Sequence, residues 1–256
     1  MISPKADPVG IDIIDDLVQL GFDYIELSMA DVAALRDEQF ADLRRRVEQS
    51  GIACEACNNF FPPTMRLTGP EAKLSQALDY VSRALDRAAA LGAKIVVFGS
   101  AVAKNVPQGF PHDDAMKQIV ELLAHMGPIA QRVGIVIPIE PINRGECNII
   151  NFASQGLELA RQIHHPNIQL LIDYYHLKLE AEDPAIILRA GDAIRHVHFA
   201  KIENRVFPTE PDPDYAAFFD CLRRIGYSGR CSIEAYSQDF TNDAKRALGV
   251  LKQLTK

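Results

Sequence analysis

Short apolar runs alternate with longer amphipathic segments along nearly the whole chain. The runs DYIELSM (23–29), ACEACNNF (53–60), KIVVFGS (94–100), IVIPIEP (135–141), IQLLIDYYH (168–176), IRHVHFA (194–200) and RCSIEAY (230–236) are predicted strands. Between them, apolar residues recur at helical spacing over 12–20, 33–49, 72–91, 113–133, 153–163, 184–190, 215–225 and 243–254. Gly21, Gly51, Gly92, Gly134 and Gly226 stand where those helices should end, the usual place for a left-handed residue.

Strand–helix repetition of this kind predicts parallel strands joined by crossover helices. Several strands are apolar almost throughout, as expected when both faces are covered. The expected fold is α/β, a (β/α)₈ TIM barrel whose first strand is either very short, at Met1–Ser3, or missing. An open doubly wound sheet is the competing architecture. It often carries a Gly-rich phosphate loop, and no G-x-G-x-x-G occurs here. No linker or low-complexity stretch divides the chain, so residues 1–256 are expected to form a single domain.

Composition narrows the class only a little. Of the 256 residues, 48% are hydrophobic and 24% charged, which is ordinary for a globular chain. The net charge of −7 and the lack of basic runs argue against nucleic acid, whose phosphates need Lys and Arg. No apolar run approaches the roughly 20 residues of a membrane span, and MISPKADPVG lacks the apolar core of a signal peptide. A cytoplasmic location is expected. The five cysteines do not suggest a disulfide framework, and Cys54 and Cys57, within a predicted strand and with no second pair, read as plain buried thiols.

Four ionisable residues change the picture. Glu140, Asp173, His198 and Glu234 each lie at or near the carboxyl end of a predicted strand, and the four strands are consecutive. In a parallel barrel those ends converge on the face that carries active sites. A lone carboxylate there is most often a helix cap or an ion-pair partner. Three gathered together would repel one another, whereas with His198 they make a mainly oxygen site for one divalent cation. Mn²⁺ is the first choice, with Mg²⁺, Co²⁺ and Zn²⁺ as the others. His196 faces the same way one layer deeper and reads as a hydrogen-bonded core residue. Lys104 and Lys201 read as solvated loop lysines.

On Glu140-Pro-Ile-Asn-Arg-Gly-Glu146, Asp173-Tyr-Tyr-His176, His196-Val-His198 with Glu203-Asn-Arg205, and Ile233-Glu234, the chain resembles the sugar phosphate isomerase/epimerase group of xylose-isomerase-like barrels. It is most similar there to ketose 3-epimerases of the D-tagatose 3-epimerase type, and GFDYIELS (21–28) resembles that family's second strand. The resemblance implies metal ligands at Glu140, Asp173, His198 and Glu234, and an acid/base pair at Glu140 and Glu234. It implies substrate contacts at Glu146, His176 and Arg205, although the segment FAKIENR after His198 is one residue longer than in those epimerases. The implied reaction is epimerisation of a ketose at C3 through an enediolate, the implied partner a small-molecule sugar, and the implied assembly a homo-oligomer. Aldose–ketose, inosose and hydroxypyruvate isomerases would use a similar metal site. An endonuclease IV-like DNA-repair enzyme shares the barrel but needs histidines where this chain reads NNFFPP and FGSA. A barrel that only binds sugar is the remaining alternative.

Overall fold

A computed structural model describes residues 9–255. Chain order runs α1 (Ile14–Leu20), β1 (Tyr24–Ser28), α2 (Met29–Ala34), α3 (Asp37–Ser50), β2 (Ala53–Asn58), α4 (Leu74–Leu91), β3 (Ile95–Val96), α5 (Ala101–Lys104) and α6 (His112–Val133). It continues with β4 (Ile137–Ile139), α7 (Ala153–Ile163), β5 (Ile168–Asp173), α8 (Tyr174–Leu179), α9 (Ala185–Ala190), β6 (Ile194–Phe199), α10 (Pro213–Arg224), β7 (Cys231–Ile233) and α11 (Phe240–Leu254). All strand pairs are parallel, in the order β1-β2-β3 and β4-β5-β6-β7. The single bridges Ile95↔Val136 and Phe98↔Ile139 join the two groups. This is the expected barrel, with helices packed outside the strands and seven strands among the described residues. The first strand expected at Met1–Ser3 lies outside them.

Pro138 accounts for the thin junction between β3 and β4. Val136 N donates to Lys94 O at 2.8 Å and Glu140 N to Phe98 O at 3.1 Å. Pro138, between them in the same register, has no N–H to give, so the ladder loses a rung. The strand predicted over 94–100 is therefore reduced to two paired residues and isolated bridges.

Two other expected elements differ. The helix expected over 33–49 breaks at Leu35 and Arg36, which are both extended. Arg87 Nη1 donates to the carbonyls of Val32, Ala33 and Leu35 at 2.9, 3.1 and 2.6 Å and so closes α2. The strand expected over 168–176 stops at Asp173, and Tyr174, Tyr175 and His176 begin α8. Asp173 Oδ1 accepts the Tyr175 N–H at 2.8 Å, an N-cap that turns a β-favouring run into a helix start.

The core lies between the strands and the helices around them. Ile137 and Ile139 of β4, Leu170 and Leu171 of β5 and Val197 of β6 are almost fully buried. Leu85 and Val81 of α4 are fully buried, and Leu74 and Leu78 pack against the same core, so this apolar face of α4 is turned to the barrel. Cys54 and Cys57 are buried in β2 as free thiols. A hydrogen bond with Cys54, together with burial, pushes the Cys57 thiol well above its usual range, which keeps Cys57 protonated. No helix among the described residues is long and apolar enough to cross a membrane.

Candidate metal centre and active site

The ladder between neighbouring strands aligns their carboxyl ends, and the four ionisable residues singled out above meet there. Asp173 is the last residue of β5 and pairs in register with His198 of β6. Glu140 directly follows β4 and Glu234 directly follows β7. One donor atom from each of Glu140, Asp173, His198 and Glu234 lies within 4.8 Å of the other three. All four side chains are buried, His198 completely so.

The hydrogen bonds assign the imidazole. His198 Nε2 lies 2.9 Å from Glu26 Oε1, and a carboxylate can only accept, so Nε2 carries a proton. The other nitrogen, Nδ1, lies 2.9 Å from Glu140 Oε1 and 2.9 Å from Glu234 Oε2. A bare nitrogen lone pair facing two carboxylate oxygens is repulsive. The geometry therefore requires a positive charge at that point, either a second proton on the ring or a cation among the four donors. Asp173 keeps one oxygen for the same point: Oδ1 caps α8, while Oδ2 lies 3.4 Å from Arg205 Nη2 and 3.5 Å from His176 Nε2. Three carboxylate oxygens and one imidazole nitrogen suit a divalent cation of the Mn²⁺, Mg²⁺, Co²⁺ and Zn²⁺ group.

The residues fit such a cation, and comparison with known proteins places the chain. The family described as xylose isomerase-like TIM barrel matches residues 14–254. The chain belongs to that family. A ketose 3-epimerase of Arthrobacter globiformis is 28% identical over 243 residues, covering 92% of this chain and 81% of the relative. An L-ribulose 3-epimerase of Mesorhizobium japonicum is 25% identical over 226 residues, covering 88% and 75%. The crystal structure of a D-allulose 3-epimerase from Methylomonas sp. superposes with a TM-score of 0.85 at 24% identity, covering 98% of this chain and 93% of that one.

Within this xylose isomerase-like barrel, the remaining expected site residues also lie at the cluster. Arg205 Nη2 is 2.8 Å from Glu234 Oε2, and Nη1 is 3.4 Å from Glu146 Oε2. The guanidinium sits 4.8 Å above the Tyr175 ring. The segment after His198 turns through two successive left-handed residues, Asn204 at φ 61 and Arg205 at φ 50. Tyr236 N holds that turn through a 2.8 Å bond to Arg205 O. Asn143 Nδ2 lies 2.8 Å from both Glu146 Oε1 and His176 Nδ1. His176 Nδ1 is thereby an acceptor, which leaves its Nε2–H directed toward Asp173.

Four residues of the site escaped the sequence reading. Asn58, at the end of β2, donates to Glu234 Oε1 at 3.2 Å. Asn143 lay in a quoted motif but carried no expected role. Gly99 is the point of closest approach to Glu140, where a Cβ would collide with Oε2 and lie 3.3 Å from Cδ. Glu26 of β1 reaches His198 from across the barrel, and its only signal was its place in GFDYIELS. Lys104 corrects an expectation: it is fully buried, not solvated, and its Nζ donates to Glu140 O at 2.9 Å.

Charge at the cluster sets a pH window. Burial alone would raise the Glu26 carboxyl, but His198 and His196 outweigh it and hold Glu26 well below the usual 4.5. Burial would raise Glu234 too, and Arg205 and His198 hold it below its usual range. For His198, burial favours the neutral ring, yet Glu26, Glu234 and Glu140 raise it well above the usual 6.5. The lowered carboxyls contribute stability that is complete above 4.5 and lost as pH falls through their folded values. The raised histidine contributes stability that is complete below 6.5 and lost as pH rises through its folded value. Chelator-treated protein is therefore expected to unfold at its highest temperature between these limits and to lose stability on both sides. Calorimetry across pH 3–9 checks this, and a melting temperature that falls on neither side contradicts it.

Proposed function

We propose that this chain is a divalent-metal-dependent isomerase that epimerises a ketose at C3, with Mn²⁺ as the preferred ion. Glu140, Asp173, His198 and Glu234 hold the ion, and Glu140 and Glu234 also move the proton. The observation that carries this reading is that Glu140 and Glu234, from the two outer strands of the β4-β5-β6-β7 group, reach the same imidazole nitrogen at 2.9 Å each. A bound divalent cation supplies Lewis acidity toward the carbonyl and neighbouring hydroxyl oxygens of the sugar.

Each glutamate has one oxygen in the cluster and a second outside it. Glu140 Oε2 lies against Gly99, and Glu234 Oε1 accepts from Asn58. One carboxylate removes the proton from C3, and the electron pair moves toward the C2 carbonyl to give the enediolate. The other, carrying a proton when the sugar binds, delivers it to the opposite face of C3, so the two glutamates end with their protonation states exchanged. Arg205, and His176 through its Nε2–H, offset negative charge as it grows on the sugar oxygens. Glu146, held by Asn143 and Arg205, accepts hydrogen bonds from sugar hydroxyls.

The test is isotopic. Protein stripped with chelator and reloaded with Mn²⁺ is incubated with a panel of free ketoses in D₂O and followed by NMR. The expected result is deuterium at C3 together with a new epimer, only when metal is present. Incorporation at C1 or C2 with an aldose product would assign an aldose–ketose isomerase to the same site. Absence of exchange with every free ketose contradicts the proposal.

A further inference from the structure

Glu26 lies outside the four expected ligands, yet it is buried at the centre of a hydrogen-bond chain that ends on one of them. Its Oε1 takes the His198 Nε2–H at 2.9 Å. Its Oε2 is 2.9 Å from His196 Nε2 and also accepts from Ser232 Oγ. Ser232 Oγ is in turn 2.6 Å from Tyr24 Oη. The directions are forced. Glu26 only accepts, so Ser232 must donate its single proton to it, and Tyr24 must donate to Ser232. His196 spends its Nε2–H on Glu26, and its Nδ1 has no hydrogen-bond partner among the described residues.

Glu26 is thus held on one side by Tyr24, Ser232 and His196, and presents its other oxygen to His198. This contact fixes the ring plane of His198 and holds a proton on Nε2, so Nδ1 is the nitrogen that faces Glu140, Glu234 and a cation between them. We propose that Glu26 is the positioning residue of the metal centre: a buried carboxylate, clamped by Tyr24, Ser232 and His196, that orients His198 and makes Nδ1 a stronger ligand. The proposal rests on the metal-centre reading above. Carboxylate–histidine–metal pairs of this form typically contribute about 10–100-fold in metal affinity.

A competing use of the same atoms exists, because Glu26, His196 and His198 are themselves close enough to hold an ion. The hydrogen-bond lengths favour the clamp, since each imidazole N–H is already matched to its own carboxylate oxygen.

The experiment titrates chelator-treated protein with MnCl₂ by calorimetry and reads the histidine tautomers by ¹⁵N NMR on protein loaded with diamagnetic Mg²⁺, where a cation and not a second proton faces His198 Nδ1. Glu26→Gln keeps the shape but offers only one acceptor end, so it cannot take both imidazole N–H groups as they stand. The wild type is expected to bind one Mn²⁺ per chain. Glu26→Gln is expected to bind it about 10-fold or more weakly, with the His198 signals leaving the pure Nε2–H pattern. Wild-type binding with unchanged affinity in Glu26→Gln overturns the proposal alone and leaves the metal centre standing. Two Mn²⁺ per wild-type chain falling to one in Glu26→Gln also overturns it, making Glu26 a ligand. No Mn²⁺ binding by the wild type overturns the metal-centre reading and this proposal with it. If Glu26→Gln does not fold, Ser232→Ala decides: weaker Mn²⁺ binding with a mixed His198 tautomer supports the clamp, and wild-type behaviour overturns it.

Discussion

Glu140→Gln and Glu234→Gln are each expected to lower kcat/KM for epimerisation by about 10³-fold or more, the loss typical of a missing general acid/base, compounded by weaker metal binding. Each change removes a proton carrier and one negative charge from the cluster while preserving the shape of the side chain. The residual chemistry should be asymmetric. In a two-carboxylate mechanism, the remaining glutamate can still exchange the C3 proton on its own face without inverting the carbon. Slow solvent exchange in Mn²⁺-loaded Glu140→Gln should therefore be confined to one epimer, and in Glu234→Gln to the other. NMR of both epimers in D₂O reads turnover and exchange together. Full turnover in either variant would sink the two-carboxylate mechanism.

Gly99→Ala separates function from stability. The added methyl collides with Glu140 Oε2, the free end of a side chain, while the nearest other contacts are the Cδ and Cβ of the same residue at 3.3 and 3.8 Å. The backbone can therefore stay in place while the carboxylate swings away from the cluster. Gly99 is not among the glycines with positive φ, so alanine introduces no backbone strain. Stability is expected to change by no more than about 1 kcal/mol. Displacing a reacting group by about 1 Å costs on the order of 10²-fold in rate. The check is a urea melt beside kcat/KM at saturating Mn²⁺. A large loss of stability with wild-type activity in the folded fraction would show that Gly99 serves the backbone, not Glu140.

The architecture and the convergence of Glu140, Asp173, His198 and Glu234 were legible in the sequence for a single reason. A parallel barrel puts every strand's carboxyl end on one face, so a carboxylate or imidazole closing each of four consecutive strands has a known destination. The misread parts depend on contacts the local pattern does not carry. IQLLIDYYH favours a strand throughout, and only the bond from Asp173 Oδ1 to Tyr175 N turns its last third into a helix. The helix expected over 33–49 was broken by Arg87, some fifty residues further along the chain. Asp173 shows that two readings can hold for one residue, since one oxygen caps α8 and the other faces the cluster. Glu26 was hidden because its partners, His196, His198 and Ser232, come from β6 and β7 and meet it only across the barrel interior. Lys104 looked like any loop lysine until the burial of α5 set it beneath Glu140.

The central claim is that one divalent cation sits where Glu140, Asp173, His198 and Glu234 converge. The measurement that tests it most directly is anomalous diffraction from crystals of the protein loaded with Mn²⁺. The account predicts a single strong peak bonded to Glu140 Oε1, Asp173 Oδ2, His198 Nδ1 and Glu234 Oε2, with Arg205 drawn back from Glu234 and Asp173. A peak seated instead among Glu26, His196 and His198, or no peak at the cluster in Mn²⁺-saturated crystals, would contradict it.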